Sequence, residues 1–257
     1  MLCRRLAGKR IKMNNARKDI HNSDIPVLCR ACEARHRGIC GALTPAQLVK
    51  LNQHTKQHSY KSGQELQSAD QEVERYSNIL RGVVKLTKLL ADGRQQIVGL
   101  QFAPDFTGRP FRRESHVIAD AATDIQVCSF PRKSLEELIG ESPELEHRLH
   151  TQALEELDEA REWMLTLGRK NAGEKVASFL FLIASHVDPE IDERDGPISF
   201  ELPLKRSDIA DFLGLTIETV SRQITKLRKA GVIEVENNRT VIVPDLDRLR
   251  FACERET

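Results

Sequence analysis

Lys205-Arg-Ser-Asp-Ile-Ala-Asp-Phe-Leu-Gly-Leu-Thr-Ile-Glu-Thr-Val-Ser-Arg-Gln-Ile-Thr-Lys-Leu227 holds two apolar-periodic runs joined across a single glycine. Ser207 stands where a first helix would be capped, and Ile209, Ala210, Phe212 and Leu213 give that helix a buried side. Gly214 permits a tight turn, and Thr216 caps a second helix that ends before Gly231. Such a helix-turn-helix places its second helix in the DNA major groove. There Ile217, Val220, Ile224 and Leu227 are expected to face inward, while Glu218, Ser221, Arg222 and Thr225 face outward. An Arg can bond guanine O6 and N7 and a carboxylate can accept from cytosine N4. Glu218 and Arg222, one turn apart, therefore suit one G·C pair, for about 1–3 kcal/mol of discrimination per good contact. The bland alternative is an exposed i, i+4 ion pair. Lys226, Arg228 and Lys229 read as phosphate contacts or solvated surface. Ile233–Val235, Asn237-Asn238 and Thr240–Val243 read as a hairpin wing.

Charge is distributed to match. The whole chain of 257 residues carries a net charge of only +1, but Lys205–Lys229 has six Lys/Arg against three Asp/Glu. Binding of a polyanion depends on such a local patch and not on the total. Upstream, Ala153, Leu157, Ala160, Met164 and Leu167 recur at spacings of 4, 3, 4 and 3 in a long helix, an a/d seam suited to a second copy of the chain. The run Glu155–Glu162 adds five acids and one Arg beside it. Those acids are expected to repel their copies in a parallel pair, so that another input must hold the helices in register.

Before the seam the pattern changes from helix to strand. Val83–Leu90, the turn signal Asp92-Gly93 and Ile97–Phe102 predict a hairpin; His116–Ala119 and Ile125–Phe130 predict further strands. No helix-length pattern separates them, which indicates an antiparallel β domain. After Pro131, Ser134 to Glu137 reads as a capping box that opens a helix, and Lys170–His186 is helical again. Met1–Lys18 holds seven Lys/Arg and no apolar run long enough for a signal peptide. No stretch approaches the roughly 20 apolar residues of a membrane-spanning helix. A cytoplasmic protein is expected, whose cysteines stay reduced.

Six cysteines are then ligands or redox groups before they are disulfides. Cys29, Cys32 and Cys40 lie close together, and Cys128 lies far downstream in a predicted strand. Each iron of a cubane needs one terminal thiolate, and three cysteines in one loop leave a corner for a distant fourth. Zinc held by Cys29, Cys32 and Cys40 with His36 or Cys128 is the alternative that spacing leaves open. Cys3 and Cys253 are read as bystanders in the termini. No nucleophile–base motif, phosphate-cradling glycine loop or carboxylate pair points to an enzyme.

The quoted run, with Glu218, Ser221 and Arg222 in place, resembles the DNA-reading motif of the FNR branch of the CRP/FNR transcription regulators. The resemblance implies an α+β fold. Residues 1–27 would be a basic flexible tail, 28–135 a cluster-binding loop and an antiparallel β-roll sensor domain like those that bind cyclic nucleotides, 136–168 the dimerisation helix region, and 169–257 a winged helix-turn-helix. It implies that Glu218, Ser221 and Arg222 read TTGAT…ATCAA-type half-sites in a homodimer that contacts RNA polymerase. It also implies that Cys29, Cys32, Cys40 and Cys128 hold an oxygen-sensing [4Fe–4S] cluster. The seven residues between Cys32 and Cys40 are a longer gap than in the enteric members and similar to the photosynthetic and rhizobial ones. Where the superfamily's cyclic-nucleotide readers carry Gly-Glu and a later Arg, this chain has Gly108-Arg109 and Ser115-His116-Val117. A cAMP receptor is therefore not expected.

Overall fold

The computed structural model describes residues 25–30, 32–187 and 196–254. Residues 1–24 of the expected basic tail, Cys3 among them, fall outside the described residues. The chain divides into two compact units that meet between Glu156 and Leu157.

Among its described residues the first unit has eight strands, β1 (Lys56–Tyr60), β2 (Glu65–Gln67), β3 (Arg75–Arg81), β4 (Val83–Leu89), β5 (Gln95–Phe102), β6 (Phe106–Thr107), β7 (Ile118–Ala121) and β8 (Ile125–Pro131). They form two antiparallel four-stranded sheets, ordered β1-β8-β3-β6 and β2-β7-β4-β5. Alternation along each strand sends Ile79, Val84, Ala119, Ala121, Ile125 and Val127 into one shared core. The β4–β5 hairpin turns at Asp92-Gly93 as its residues predict, with Gly93 at φ +86°.

β7 begins two residues later than expected. The Ser115 hydroxyl donates to Val117 O at 2.8 Å and accepts from Val117 N at 3.3 Å, which diverts the backbone groups that a strand at His116 would need.

Helices cover one end of the unit. α1 (Val27–Arg30), α2 (Glu33–Arg37), a 3-10 turn (Ile39–Ala42) and α3 (Pro45–Asn52) precede the strands, and α4 (Arg132–Glu141) follows them. α3 has a full capping box, since Thr44 Oγ1 accepts from Gln47 N while the Gln47 side chain accepts from Thr44 N. The box expected at Ser134 is absent. Pro131 holds the N-cap of α4, and Arg132 N donates to Glu74 O at 2.9 Å, so the helix leaves β8 directly. These helices bury Ile39, Leu43, Leu48, Leu51, Leu135 and Leu138 against Tyr76, Phe106 and Phe130, at roughly 1.5–3 kcal/mol per large side chain. α5 (Pro143–Arg169) is 27 residues long and runs across the boundary between the units.

The second unit contains α6 (Ala172–Val187), β9 (Ile198–Glu201), α7 (Arg206–Leu213), α8 (Ile217–Lys229), β10 (Glu234–Glu236), β11 (Thr240–Val243) and α9 (Leu246–Ala252). α6 is apolar and central: Val176, Ala177, Phe179, Leu180 and Ile183 are at most 1% exposed. Phe212 of α7 packs edge-on against Phe179 and Trp163, with ring centroids 5.9 and 4.6 Å away. β10-β11-β9 form the wing, turning at Asn237 and Asn238, both at positive φ, as an Asn-Asn hairpin favours. Cys253 is not in a loose terminus. It is fully buried beside α9, with its thiol donating to Leu249 O. Among the described residues no helix is long and apolar enough to cross a membrane.

Candidate metal centre and nucleic-acid interface

The four expected cysteines come from three helical pieces and one strand. Cys29 lies in α1, Cys32 is the N-cap of α2, Cys40 lies in the 3-10 turn, and Cys128 lies in β8. Alternation in β8 buries Val127 and Ser129 and leaves Cys128 half-buried on the other face. The loop reaches that face because Gly38 lets the chain turn closely: a Cβ there would lie 2.7 Å from Ala34 O and 3.0 Å from Pro104 O. The thiols are within electrostatic reach of one another. Burial pushes Cys40 up to about 12, reinforced by Cys128, Cys29 and Cys32, while a hydrogen bond from Asn78 opposes the shift. Burial pushes Cys128 to about 12 as well, reinforced by Cys29 and Cys32. Cys29 is raised by burial and by Cys32, and Arg35 counteracts.

Such a set resists ionisation on its own and suits a cationic centre that takes several thiolates. Asn78 Nδ2 donates to Cys40 Sγ at 3.2 Å, and Asn78 stands opposite Cys128 in the β3–β8 register, so this side chain ties the loop to the strand beside Cys128. Among the described residues no group of three or more His, Cys, Asp or Glu side chains is placed to hold a metal ion. His36 is exposed, its Nε2 3.4 Å from Arg35 Nη2.

The cysteine loop is tied to α5. Cys29, Cys40 and Leu149 pack on the same apolar cluster as Leu145, and Arg148 Nη2 donates to Arg37 O at the end of α2. Of the expected seam, Ala153, Leu157, Ala160 and Met164 are exposed and Leu167 is half-buried. Met164 is 72% exposed and Leu154, beside the seam, 52%, whereas Trp163 on another face is 8% exposed. A helix with one buried side and one apolar open stripe has a face for a partner.

α7 is capped by Lys205 and not by Ser207, which lies in the first turn; Ile209 N donates to Lys205 O. Gly214 then turns the chain at φ +62°. Thr216 Oγ1 accepts from Thr219 N at 3.2 Å and opens α8. Val220 and Ile224 are buried, but Ile217 is 47% exposed, because the first residue of α8 precedes the turn that packs. Glu218, Ser221 and Arg222 are all exposed. Glu218 and Arg222 make no ion pair with each other: Arg222 Nη2 approaches Thr219 Oγ1 at 3.5 Å. The Glu218 carboxyl is held below its ordinary range by its own backbone N–H and then by the Thr216 hydroxyl. Both side chains are thus exposed on the outer face of α8 and not paired with each other. Between α8 and the wing lies a cleft of about 370 Å³ lined by Arg206, Ser221, Thr225, Arg228 and Asn238. Asn78, Arg148 and Arg206 carried no signal in the sequence that marked them as site residues.

At Gly108 the β-roll closes on itself. A Cβ there would lie 2.3 Å from the Tyr76 ring, and Glu136 Oε1 accepts from both Tyr76 OH (2.8 Å) and Phe111 N (3.0 Å). The loop amide at Phe111 is thereby committed to a carboxylate of the chain's own.

Two family models match, a cyclic nucleotide-binding domain over residues 57–142 and a Crp-like helix-turn-helix domain over 174–252. The chain is 57% identical, over 92% of its length and 98% of the relative's, to a probable transcriptional activator of Rhizobium leguminosarum. It is 43% identical, over 86% of its length and 90% of the relative's, to the transcriptional activator protein FnrL of Cereibacter sphaeroides. The solved structure of FixK2 from Bradyrhizobium japonicum superposes with a TM-score of 0.70 at 32% identity, covering 79% of this chain and 99% of that one. These relatives are transcription factors and not enzymes. With both domains matched and such relatives aligned over most of its length, the chain belongs to the Crp/FNR family of transcription regulators.

Proposed function

We propose that this regulator responds to oxygen in the cytoplasm through a [4Fe–4S] cluster held by Cys29, Cys32, Cys40 and Cys128, and that it binds palindromic DNA as a homodimer. The observation that supports the reading is that Asn78, which donates to the Cys40 sulfur, stands opposite Cys128 in the β3–β8 register, with Cys29 and Cys32 within electrostatic reach of both Cys40 and Cys128. When bound, the cluster would supply the oxygen-sensitive chemistry. The chain's own residues do the rest. Asn78 donates to the Cys40 sulfur, and the buried Arg35 guanidinium offsets negative charge at Cys29. Arg148 and Leu149 link the ordered loop to α5, whose open stripe takes the second subunit. Glu218, Ser221 and Arg222 then reach bases, and the basic residues of α8 reach phosphates.

The alternative is a zinc-stabilised regulator without oxygen sensing. The exposure of His36, which stands beside Arg35, gives the His36 form of that site little support. A cAMP-driven mechanism has little support, since Arg109 follows Gly108 and the Phe111 amide already serves Glu136. RNA polymerase is the proposed protein partner, with the exposed Asp92–Arg94 turn as a contact; Arg94→Ala is expected to lower activation without lowering DNA affinity.

The test is Cys128→Ser. Colour, iron and anaerobic DNA binding should be lost together. Cluster-free protein that still binds DNA tightly would uncouple the metal from the function.

A further inference from the structure

We infer that Glu156 of one subunit forms an ion pair with Arg161 of the partner subunit, and that the two symmetric pairs fix a parallel register of α5. The inference rests on the homodimer proposed above and names what aligns it.

With Ala153, Ala160 and Leu167 at d and Leu157 and Met164 at a, the helix has a definite heptad frame. Glu155 and Glu162 then fall at f, Asp158 at b and Glu159 at c, away from the seam. The acidic run is therefore mostly an outer face and not a repulsive flank. Only two charged residues border the seam between residues 153 and 167: Glu156 at g and Arg161 at e. In a parallel pair a g residue meets the e residue five positions further along the other helix, and that residue is Arg161.

The open side of the helix agrees with this frame. Leu154 and Arg161 at e, with Leu157, Ala160 and Met164, are exposed, while Trp163 and Thr166 are buried within their own unit. The Glu156 side chain has no ion-pair partner among the described residues; Gln152 Nε2 donates to it at 3.2 Å, while burial raises its pKa, with Asp105 and Glu155 adding to the rise and Gln152 and Arg109 opposing it. Arg161 holds Asp158 at 3.1 Å, but both side chains are well exposed, at 64% and 76%. An exposed i, i+3 pair is weak and readily exchanged. An antiparallel pair would not join these two residues by the g-to-e rule, so charge selects orientation as well as register.

The test is sedimentation of full-length protein, purified without oxygen, carrying Glu156→Arg, Arg161→Glu or both. Circular dichroism confirms that each variant is folded. Each single reversal should weaken the dimer roughly tenfold at low salt, and the double reversal should restore it to within about threefold, because the pair is re-formed with its signs exchanged. Glu155→Arg, at an outer position, should leave dimerisation within about twofold of the parent. A double variant as weak as the summed singles would overturn the pair while leaving the dimer intact. A parent protein that stays monomeric would instead overturn the dimer reading itself.

Discussion

Asn78 on β3 donates its amide to the Cys40 sulfur at 3.2 Å from a position opposite Cys128 in the β3–β8 register. This one side chain spans the gap between the N-terminal loop and the sheet, and it is only 2% exposed. Removing it deletes a donor to a sulfur in a buried setting, where such a bond contributes about 0.5–1.5 kcal/mol. Asn78→Ala protein should therefore still take up iron without oxygen but bleach in air about three- to tenfold faster than the parent, followed by visible absorption. Equal bleaching rates would mean that the Asn78 bond does not stabilise the centre.

Arg148 offers a way to separate sensing from response. Its guanidinium donates to Arg37 O, and α5 carries it. Arg148→Ala should leave iron content unchanged and weaken anaerobic dimerisation about five- to tenfold, the loss of roughly 1 kcal/mol for one such bond. The readouts are metal analysis and sedimentation on the same sample. Loss of iron with the dimer would place Arg148 in holding the loop, not in transmitting its state.

On DNA, two substitutions in α8 should differ in kind. Arg222→Ala should cost about 1–3 kcal/mol on the preferred site and relax the preference at one G·C pair. Lys226→Ala should weaken all sequences alike and lower the slope of log affinity against log salt by about 1. Titrations on cognate and single-substituted duplexes at several salt concentrations measure both. A uniform loss from Arg222→Ala would reduce it to a phosphate contact.

Gly108 is a stability test of the β-roll. Its φ of +147° disfavours any side chain, and an added Cβ would strike the Tyr76 ring. Gly108→Ala should destabilise the protein by more than about 1 kcal/mol, seen as a lower thermal midpoint, because Tyr76 is fully buried and cannot yield. An unchanged midpoint would show that the loop can relax.

Legibility of the fold followed how local each signal was. The helix-turn-helix was readable because Gly214, Thr216 and the apolar spacing act within a few residues, and the Asn237-Asn238 turn was readable for the same reason. Errors arose where tertiary partners decided. The Ser134 capping box was overridden by Pro131 and by the Arg132 bond to Glu74, and Ser115 delayed β7. α3 escaped notice although Thr44, Pro45 and Gln47 mark its start. At the proposed metal site the cysteines stand out by residue type, whereas Asn78 and Arg148 act through contacts 38 and 111 residues away in sequence. Nothing in an isolated Asn or Arg marks such a partner. Cys253 was misjudged from its nearness to the chain end; α9 folds it inward.

The central claim is tested most directly by measuring iron, sulfide and zinc in protein purified without oxygen, with its absorption spectrum and sedimentation, before and after exposure to air. The account predicts about four irons and four sulfides per chain, a broad absorption near 400 nm that fades in air, and a dimer that dissociates as the colour is lost. One zinc per chain, no chromophore and an oligomeric state indifferent to air would contradict it.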